Sequence, residues 1–298
     1  PDASWPKGLA TMTAVLIQKT ASLPPVFANN RIAPDEITLA GSYASVDQFW
    51  AESIDGSGGT SHIVTLQTAS PAMARLGYQN LAPSDTTGQQ NLLLSVFGIG
   101  RALRIVDTEG REQYGTITAV QPGTAPAIDL AIASPPILYR GASSALNCGV
   151  MGNGKDHLVN VVNFVKYSLQ NLSGNAAYAP LYDTSVTGVS GSATTDTNRT
   201  ELVRQELDTS GTPIAGTEEV VSEFAVDLAF GVSVSQLINP GSTAPPVEQL
   251  ETLAPGDPAV QTWAGTATQV GVTRGPQRIR VVRARLSVRS RYADRLSG

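Results

Sequence analysis

The chain has 298 residues and a formal net charge of −5, and its single cysteine, Cys148, excludes an intramolecular disulfide. This length suffices for one large domain or two ordinary ones with their own cores, so neither disulfides nor metals are needed to hold the fold together. Charged residues make up only 15% of the chain, below the roughly 25% of ordinary soluble domains, which favours short strands and turn-rich loops over a charged helical protein.

The first predicted element is an amphipathic helix over residues 5–20. Its apolar side chains recur at spacings of four, three and four residues, which places them on one helix face; they are Trp5, Leu9, Met12 and Leu16. Pro6 is tolerated in the first turn of a helix, and Leu23-Pro24-Pro25 ends the segment. We expect this face to pack on a sheet.

Residues 31–140 are predicted to be rich in β-structure. Short apolar or alternating runs are separated by Gly, Pro, Ser and Asp; they are EITLAG (36–41), HIVTLQ (62–67), NLLLSVF (91–97) and IDLAI (128–132). Residues 103–120 form a predicted hairpin, with 107–110 as its turn. This stretch has no long helical periodicity.

The C-terminal half contains four stronger predicted strands. They are VNVVNFVKYSL (159–169), TELVRQEL (200–207), FAVDLAFGV (224–232) and the arginine-rich stretch RIRVVRARLSVRSR (278–291). Low-complexity loops are predicted between them over 173–198 and roughly 236–277. Long connections of this kind inside a domain usually mark functional surface loops or insertions.

Alternation along the arginine-rich stretch predicts a strand with two different faces. From Val282 onward, one face carries apolar residues and the other carries arginines: Val282, Ala284, Leu286 and Val288 against Arg283, Arg285, Ser287 and Arg289. Ile279 and Val281 fall in the opposite phase, so we expect a bulge near Val281-Val282. The apolar face is expected to pack under the opening helix, and Leu286→Asp is expected to unfold the domain.

The arginine face has three interpretations. It can be a solvated sheet face with scattered acidic neighbours, a protein–protein docking surface, or a nucleic-acid track. Nucleic-acid binders usually carry a basic domain with aromatics or a reading helix beside it. Because the pI here is about 5.1 and only Tyr292 lies near the stretch, nucleic acid is not expected as a partner.

The sequence contains no catalytic, cofactor or metal signature. His62 and His157 have no second His or Cys at ligand spacing. GVSGS (188–192) fails the last position of a nucleophile elbow, and GNGKD (152–156) lacks the spacing of a phosphate-binding loop. We therefore expect no enzymatic activity, no cofactor and no metal.

The order of the C-terminal strands resembles the globular domain of minor type IV pilins of the PilW type, and more distantly the J-type minor pseudopilins of type II secretion. The resemblance rests on a V-x-x-V-x-Y-x-L strand beginning at Val162, on Leu202-Val203-Arg204, on EEVVSEFAVDLAFGV (218–232), and on the arginine-rich terminal strand. RIAPDEITLAGSY (31–43) resembles the first strand after the pilin helix. The membrane-embedded half of that helix is not present in this sequence, which begins at Pro1, so a processed or truncated product is expected.

The resemblance implies an α+β, pilin-like fold, with an N-terminal helix packed on an antiparallel β-sheet, β-rich insertions and long loops. It divides the chain into a helix remnant (1–25), a β-rich insertion module (26–150) and a pilin-like sheet (151–298). Helix–sheet packing is expected to involve Trp5, Leu9, Met12, Leu16, Val282, Leu286 and Val288, and partner-facing positions are Arg283, Arg285 and Arg289.

The implied function is structural: a minor pilin that primes assembly of a type IV pilus and forms part of its tip complex. Expected partners are other minor pilins, the major pilin and a tip adhesin, and the expected location is the cell-surface pilus, with an inner-membrane anchor before assembly through the missing helix. Two alternatives stay open: a secreted or surface adhesin-like module that binds a glycan, host protein or DNA, and a hydrolase of unknown type.

Overall fold

A computed structural model describes residues 10–20, 33–58, 61–132, 137–141, 150, 154–182, 199–238, 247–265 and 275–289. These residues are mostly β, and the largest sheet is antiparallel and contains ten strands. The α-helices among them are short: α1 (Pro71–Arg75), α2 (Thr86–Val96) and α3 (Val260–Ala264). The expected α+β fold, with an N-terminal helix packed on a sheet, is therefore wrong.

The opening segment forms strands rather than a helix. Strand β1 (Ala10–Met12) and strand β2 (Val15–Lys19) occupy the second half of the predicted helix. β-Branched residues stand at every second position from Thr11 to Ile17, and such side chains favour strands. Ile17 is fully buried, whereas Met12 and Leu16 are half-buried. Trp5 and Leu9 lie outside the described residues.

Contacts divide the chain into two compact units. The first contains residues 1–14, 39–165 and 206–215, and the second contains 15–38, 166–205 and 216–298. Strands β3 (Asp35–Gly41), β10 (Leu158–Gln170) and β11 (Glu201–Leu207) each contribute residues to both. The predicted three-segment division of the chain stays a prediction.

The first unit is built around a closed ring of six antiparallel strands. Strand β4 (Phe49–Gly58) is followed around the ring by β5 (Ser61–Leu66), β8 (Ala127–Ala131), β7 (Glu112–Gln121), β6 (Ala102–Val106) and β10. The ring closes because Leu158 of β10 pairs with Trp50 of β4 on one edge and with Val106 of β6 on the other. A short strand, β9 (Tyr139–Gly141), pairs with β1 beside it.

The core of the first unit joins the ring to two helices. Phe49 of β4 packs edge-to-face on Phe97, which follows α2, with ring centroids 4.9 Å apart. NLLLSVF (91–97), predicted as a strand, lies mostly in α2. The Asp85 side chain caps that helix by accepting from the backbone N–H of Gly88 at 2.9 Å, a signal that outweighs the run of leucines.

The predicted hairpin over 103–120 is confirmed. Strands β6 and β7 pair in register from Ala102–Thr116 to Val106–Glu112. Asp107 accepts hydrogen bonds from the backbone N–H groups of Glu109 and Arg111, both at 2.9 Å. Gly110 adopts a φ of 82°, in the left-handed region that glycine favours. The turn is therefore fixed by its own residues.

The second unit contains a three-stranded antiparallel sheet. Its central strand, β13 (Ala225–Ile238), pairs with β14 (Val247–Leu253) on one side and β15 (Ile279–Val288) on the other. Helix α3 contacts both β2 and β13 and buries Val260 and Trp263. Strand β12 (Glu219–Ser222) pairs with β11. Among the described residues, two 3-10 helices of this unit span Ala176–Tyr182 and Pro276–Arg278, and one of the first unit spans Tyr78–Asn80.

Part of the predicted loop over 236–277 forms ordered elements. Residues 236–277 contain the end of β13, all of β14 and helix α3.

A buried carboxylate stabilises the second unit: Asp35 accepts from the backbone N–H of Phe230 at 2.8 Å and pairs with Lys19 at 2.6 Å. Within the described ranges, no helix has the length and apolar character to cross a membrane.

Candidate functional site

Strand β15, predicted from the arginine-rich stretch, is an edge strand of the three-stranded sheet. Val282, Ala284 and Leu286 lie opposite Val232, Phe230 and Leu228 of β13, respectively. Residues directly opposite each other share a face, so this face is apolar on both strands. The expected alternation is confirmed, and a register shift lies opposite Ile279–Val281, close to the expected bulge at Val281-Val282.

The apolar face is buried on β13 and open on β15. Leu228 is 2% exposed, whereas its neighbour Leu286 is 41% exposed and Val288 is 57% exposed. The face was expected to lie under an N-terminal helix, and the opening segment does not form that helix. This correction leaves an apolar row accessible at the edge of the sheet.

The backbone of β15 also directs hydrogen-bonding groups outward. The N–H of Arg289 donates to the carbonyl oxygen of Phe224 at 2.9 Å, and the N–H of Phe230 points away from β15, to Asp35. Because successive residues of a strand direct their N–H and C=O groups to opposite sides, Arg283 and Arg285 bond toward β13. The N–H and C=O groups of Val282, Ala284, Leu286 and Val288 then face the outer edge.

The opposite face carries the arginines. Arg285 forms an ion pair with Asp227 at 3.0 Å and is more than half exposed. Arg283 donates to the hydroxyls of Ser233 at 2.6 Å and Thr252 at 3.2 Å, which carry no charge. The sheet thus orients both guanidinium groups while it neutralises only part of their charge.

Close backbone packing shapes this arginine face. A Cβ added to Gly231, which lies opposite Arg283, would meet the carbonyl oxygen of Leu253 at 2.5 Å and the nitrogen of Pro255 at 2.7 Å. The chain that follows β14 therefore crosses β13 at this glycine. Arg289, the third predicted partner-facing residue, lies with its guanidinium 5.8 Å from the centre of the Phe224 ring.

Arg280 adds a further positive charge to the strand. Its guanidinium lies 3.6 Å from Glu248 of β14, and it donates to the carbonyl of Gln277 at 3.0 Å. Glu248 also accepts a hydrogen bond from Ser235. Strand β15 therefore carries three arginines, of which two are paired with acidic side chains of the same sheet.

A second feature of this unit is an open groove beside the β12–β13 turn. It has a volume of about 440 Å³ and is lined mainly by apolar side chains with one carboxylate: Tyr178, Leu181, Val220, Val221 and Glu223. The hydroxyl of Tyr178 donates to the carbonyl of Glu218 at 3.0 Å, which fixes one wall. The groove can hold a small ligand or a side chain.

A buried charged cluster supports the groove. Arg199 is 4% exposed and pairs with the buried Glu201 and, at 2.7 Å, with Glu223. Its guanidinium stacks 3.8 Å from the ring centre of Phe224, whose φ of 56° is left-handed. Burial raises the pKa of Glu201, and hydrogen bonds from Arg199 and from the Phe224 N–H only partly oppose that rise. The contacts fix the turn in a strained conformation.

The structure brings some predicted site residues together and separates others. Val282, Leu286, Val288, Arg283 and Arg285 share one strand as expected, on two opposite faces. Met12 and Leu16 lie in β1 and β2. The groove and its charged cluster were missed, because only the fold brings Glu223 and Phe224 to Arg199 and Glu201. The positive φ at Phe224 has no sequence signal.

The described part of the chain shows no grouping of three or more His, Cys, Asp or Glu side chains that could hold a metal ion. His62 and His157 are both buried in the first unit, and the His157 Nδ1 lies 3.2 Å from the carbonyl of Lys155. Cys148 lies outside the described residues.

A scan against protein-family models gives no match, and neither do searches of curated proteins and of solved structures.

Proposed function

We propose that the chain is a non-enzymatic structural subunit, a minor pilin of the PilW type, which docks onto neighbouring subunits through strand β15. One observation carries the proposal: β15 presents an accessible apolar row and an arginine row on an open sheet edge. A long edge with exposed apolar residues favours association with another chain. Assembly into a larger structure would cover it.

The resemblance of the strand sequences supports the pilin part of this proposal. The segments that carry it fall largely in β3, β10, β11, β12, β13 and β15, and residues 218–232 include the turn between β12 and β13. The covering of the last strand by an N-terminal helix is no longer part of the argument. Proposed partners are other minor pilins, the major pilin and a tip adhesin, on a cell-surface pilus.

The test is deletion of the gene in the organism that encodes the chain, followed by complementation. We expect deletion to reduce the number of surface filaments seen by electron microscopy and the wild-type gene to restore it. Leu286→Asp and Arg283→Glu should fail to restore it although the protein accumulates. Arg75→Glu, at an exposed arginine of α1 paired with Asp47, is the matched control and should complement. Normal filaments in the deletion strain would contradict the proposal.

A ligand-binding surface module is the second candidate, and the groove at Tyr178 and Glu223 favours it. An open groove with an aromatic side chain, apolar walls and a carboxylate suits a glycan. A glycan array would test this function, with Val221→Arg as the variant that fills the groove, since Val221 is half exposed there. Binding that survives this variant would place the ligand elsewhere.

A further inference from the structure

We propose that the partner adds an extended segment as a fourth strand along the open edge of β15, and that this segment alternates apolar and acidic residues. The inference rests on the docking role proposed above and names the chemistry of the partner. Within the described ranges, β15 pairs with β13 alone. An added strand is a common way in which an exposed sheet edge binds a peptide segment.

The backbone supplies the first requirement. The N–H and C=O groups of Val282, Ala284, Leu286 and Val288 face outward, as the hydrogen bonds at Arg289 and Phe230 indicate. An added strand would pair with these groups along most of the ten residues of β15. Main-chain hydrogen bonds would provide affinity without regard to sequence.

The apolar face supplies the second requirement. Val282, Ala284 and Leu286 continue the row formed on β13 by Val232, Phe230 and Leu228. An added strand with apolar residues at alternate positions would extend this row and shield Leu286 and Val288 from water. Alternate positions of the partner should therefore be valine, isoleucine or leucine.

The arginine face supplies the third requirement and selects the partner's charge. The remaining positions of an added strand would lie beside Arg283 and Arg285 on that face. Arg283 donates to the uncharged hydroxyls of Ser233 and Thr252, and Arg285 forms an ion pair with Asp227. Opposite charges across neighbouring strands are stabilising, whereas like charges are destabilising. Acidic residues at these positions fit the surface.

The same reasoning disfavours a second copy of the chain. If two β15 strands pair antiparallel with their apolar faces on the same side, odd-numbered residues must lie opposite odd-numbered residues. In the register that places Ala284 opposite Ala284, Arg283 of each copy lies directly opposite Arg285 of the other. Like charges in direct opposition would weaken such a dimer, so the partner is a different, acidic segment.

The binding test uses a short synthetic peptide in which valine and glutamate alternate, labelled with fluorescein and measured by fluorescence anisotropy with the full chain. Two control peptides accompany it: one with lysine in place of glutamate, and one with N-methyl groups on the alternate amides that would face β15. We expect only the unmodified valine–glutamate peptide to bind, with protection of β15 amides from hydrogen exchange on binding.

A charge exchange provides the sharper test. The double variant Arg283→Glu/Arg285→Glu should bind the valine–glutamate peptide at least about tenfold more weakly than the wild type does, and should bind the valine–lysine peptide instead. Circular dichroism and thermal unfolding check that the variant is folded. If the double variant loses its fold, Arg283→Glu alone is used, because the hydroxyls of Ser233 and Thr252 can donate to the new carboxylate. Arg75→Glu is the control and should bind as wild type does.

Several results would overturn the inference. The first two are absence of binding by the valine–glutamate peptide and equal binding of the N-methylated peptide. The third is self-association of the wild type that Leu286→Asp abolishes. The fourth is tighter, salt-sensitive binding of a single-stranded oligonucleotide through Arg283 and Arg285. If complementation depends on β15 but the peptide fails, the docking role stands and the strand-addition inference falls. If the peptide binds but deletion leaves filaments unchanged, the pilin proposal falls and docking by strand addition survives.

Discussion

Two leucines that lie opposite each other provide a direct test of the edge. Leu228 of β13 and Leu286 of β15 share a face, but Leu228 is buried and Leu286 is substantially exposed. We expect Leu228→Ala to destabilise the protein strongly and Leu286→Ala to destabilise it weakly. A helix over the last strand would have made the two losses similar and would have made Leu286→Asp unfold the domain.

The magnitudes follow from burial. Replacement of a fully buried leucine by alanine costs about 2–5 kcal/mol, because the lost transfer energy adds to the energy of the cavity. Full burial of a leucine side chain contributes about 1.5–3 kcal/mol, and Leu286 is 41% exposed, so its truncation should cost about 1–2 kcal/mol. Its site is open to solvent, which removes the cavity contribution. A carboxylate at position 286 stays hydrated, and Leu286→Asp should leave the protein folded.

Urea unfolding followed by tryptophan fluorescence measures both variants against the wild type. We expect the free energy of unfolding of Leu228→Ala to be well below that of Leu286→Ala, and Leu286→Asp to show a cooperative transition. Should Leu286→Ala lose as much free energy of unfolding as Leu228→Ala, or Leu286→Asp fail to fold, the apolar row of β15 would be covered and the docking proposal would lose its basis.

Three further predictions concern the supports of the fold. Arg101 makes a bidentate ion pair with the nearly buried Glu206. Arg101→Met should lower the free energy of unfolding by about 3 kcal/mol, because it removes this ion pair. The double variant Arg101→Met/Glu206→Met should recover most of that loss in thermal unfolding. Burial raises the pKa of Glu201 above its ordinary value of 4.5. The stabilising contribution of this group is therefore complete below pH 4.5 and is lost as the pH rises through the raised pKa. A pH series of unfolding should show this fall in the wild type and not in Glu201→Gln. Gly231→Ala should destabilise the second unit by more than about 1 kcal/mol, since its Cβ would lie 2.5 Å from the carbonyl oxygen of Leu253; an unchanged melting temperature would contradict that close approach.

The positions of several strands could be predicted from sequence because these strands are short and their turns are specified locally. The hairpin turn at Asp107–Gly110 and the alternation of Val282–Val288 are signals within a few residues of each other. Strand β14 escaped prediction because VEQLETL has little apolar alternation, and its residues are largely exposed. Its pairing with β13, the strand that precedes it in the chain, is the contact that makes it a strand, and its own residues carry little signal for that pairing.

The opening segment shows how two periodicities can compete. Met12 and Leu16 fit a helical spacing, while Thr13, Val15 and Ile17 fit an alternating one. The structure follows the β-branched residues, because their side chains pack well in a strand and lose conformational freedom in a helix. The groove near Arg199 could not be predicted, since its walls come from the 3-10 helix Ala176–Tyr182 and from strand β12, about 40 residues apart in the chain.

The closed ring of the first unit and the open sheet of the second should lose their hydrogen bonds in different ways. Strands β5, β6, β7 and β8 of the ring each pair with a neighbour on both sides, so their amides should exchange with solvent mainly when the whole unit opens. Among the described residues, strand β15 is paired along one side only, so we expect it to detach while β13 and β14 stay paired. If β15 docks onto a partner as proposed, that contact can form and be released without disrupting the pairing of β13 with β14.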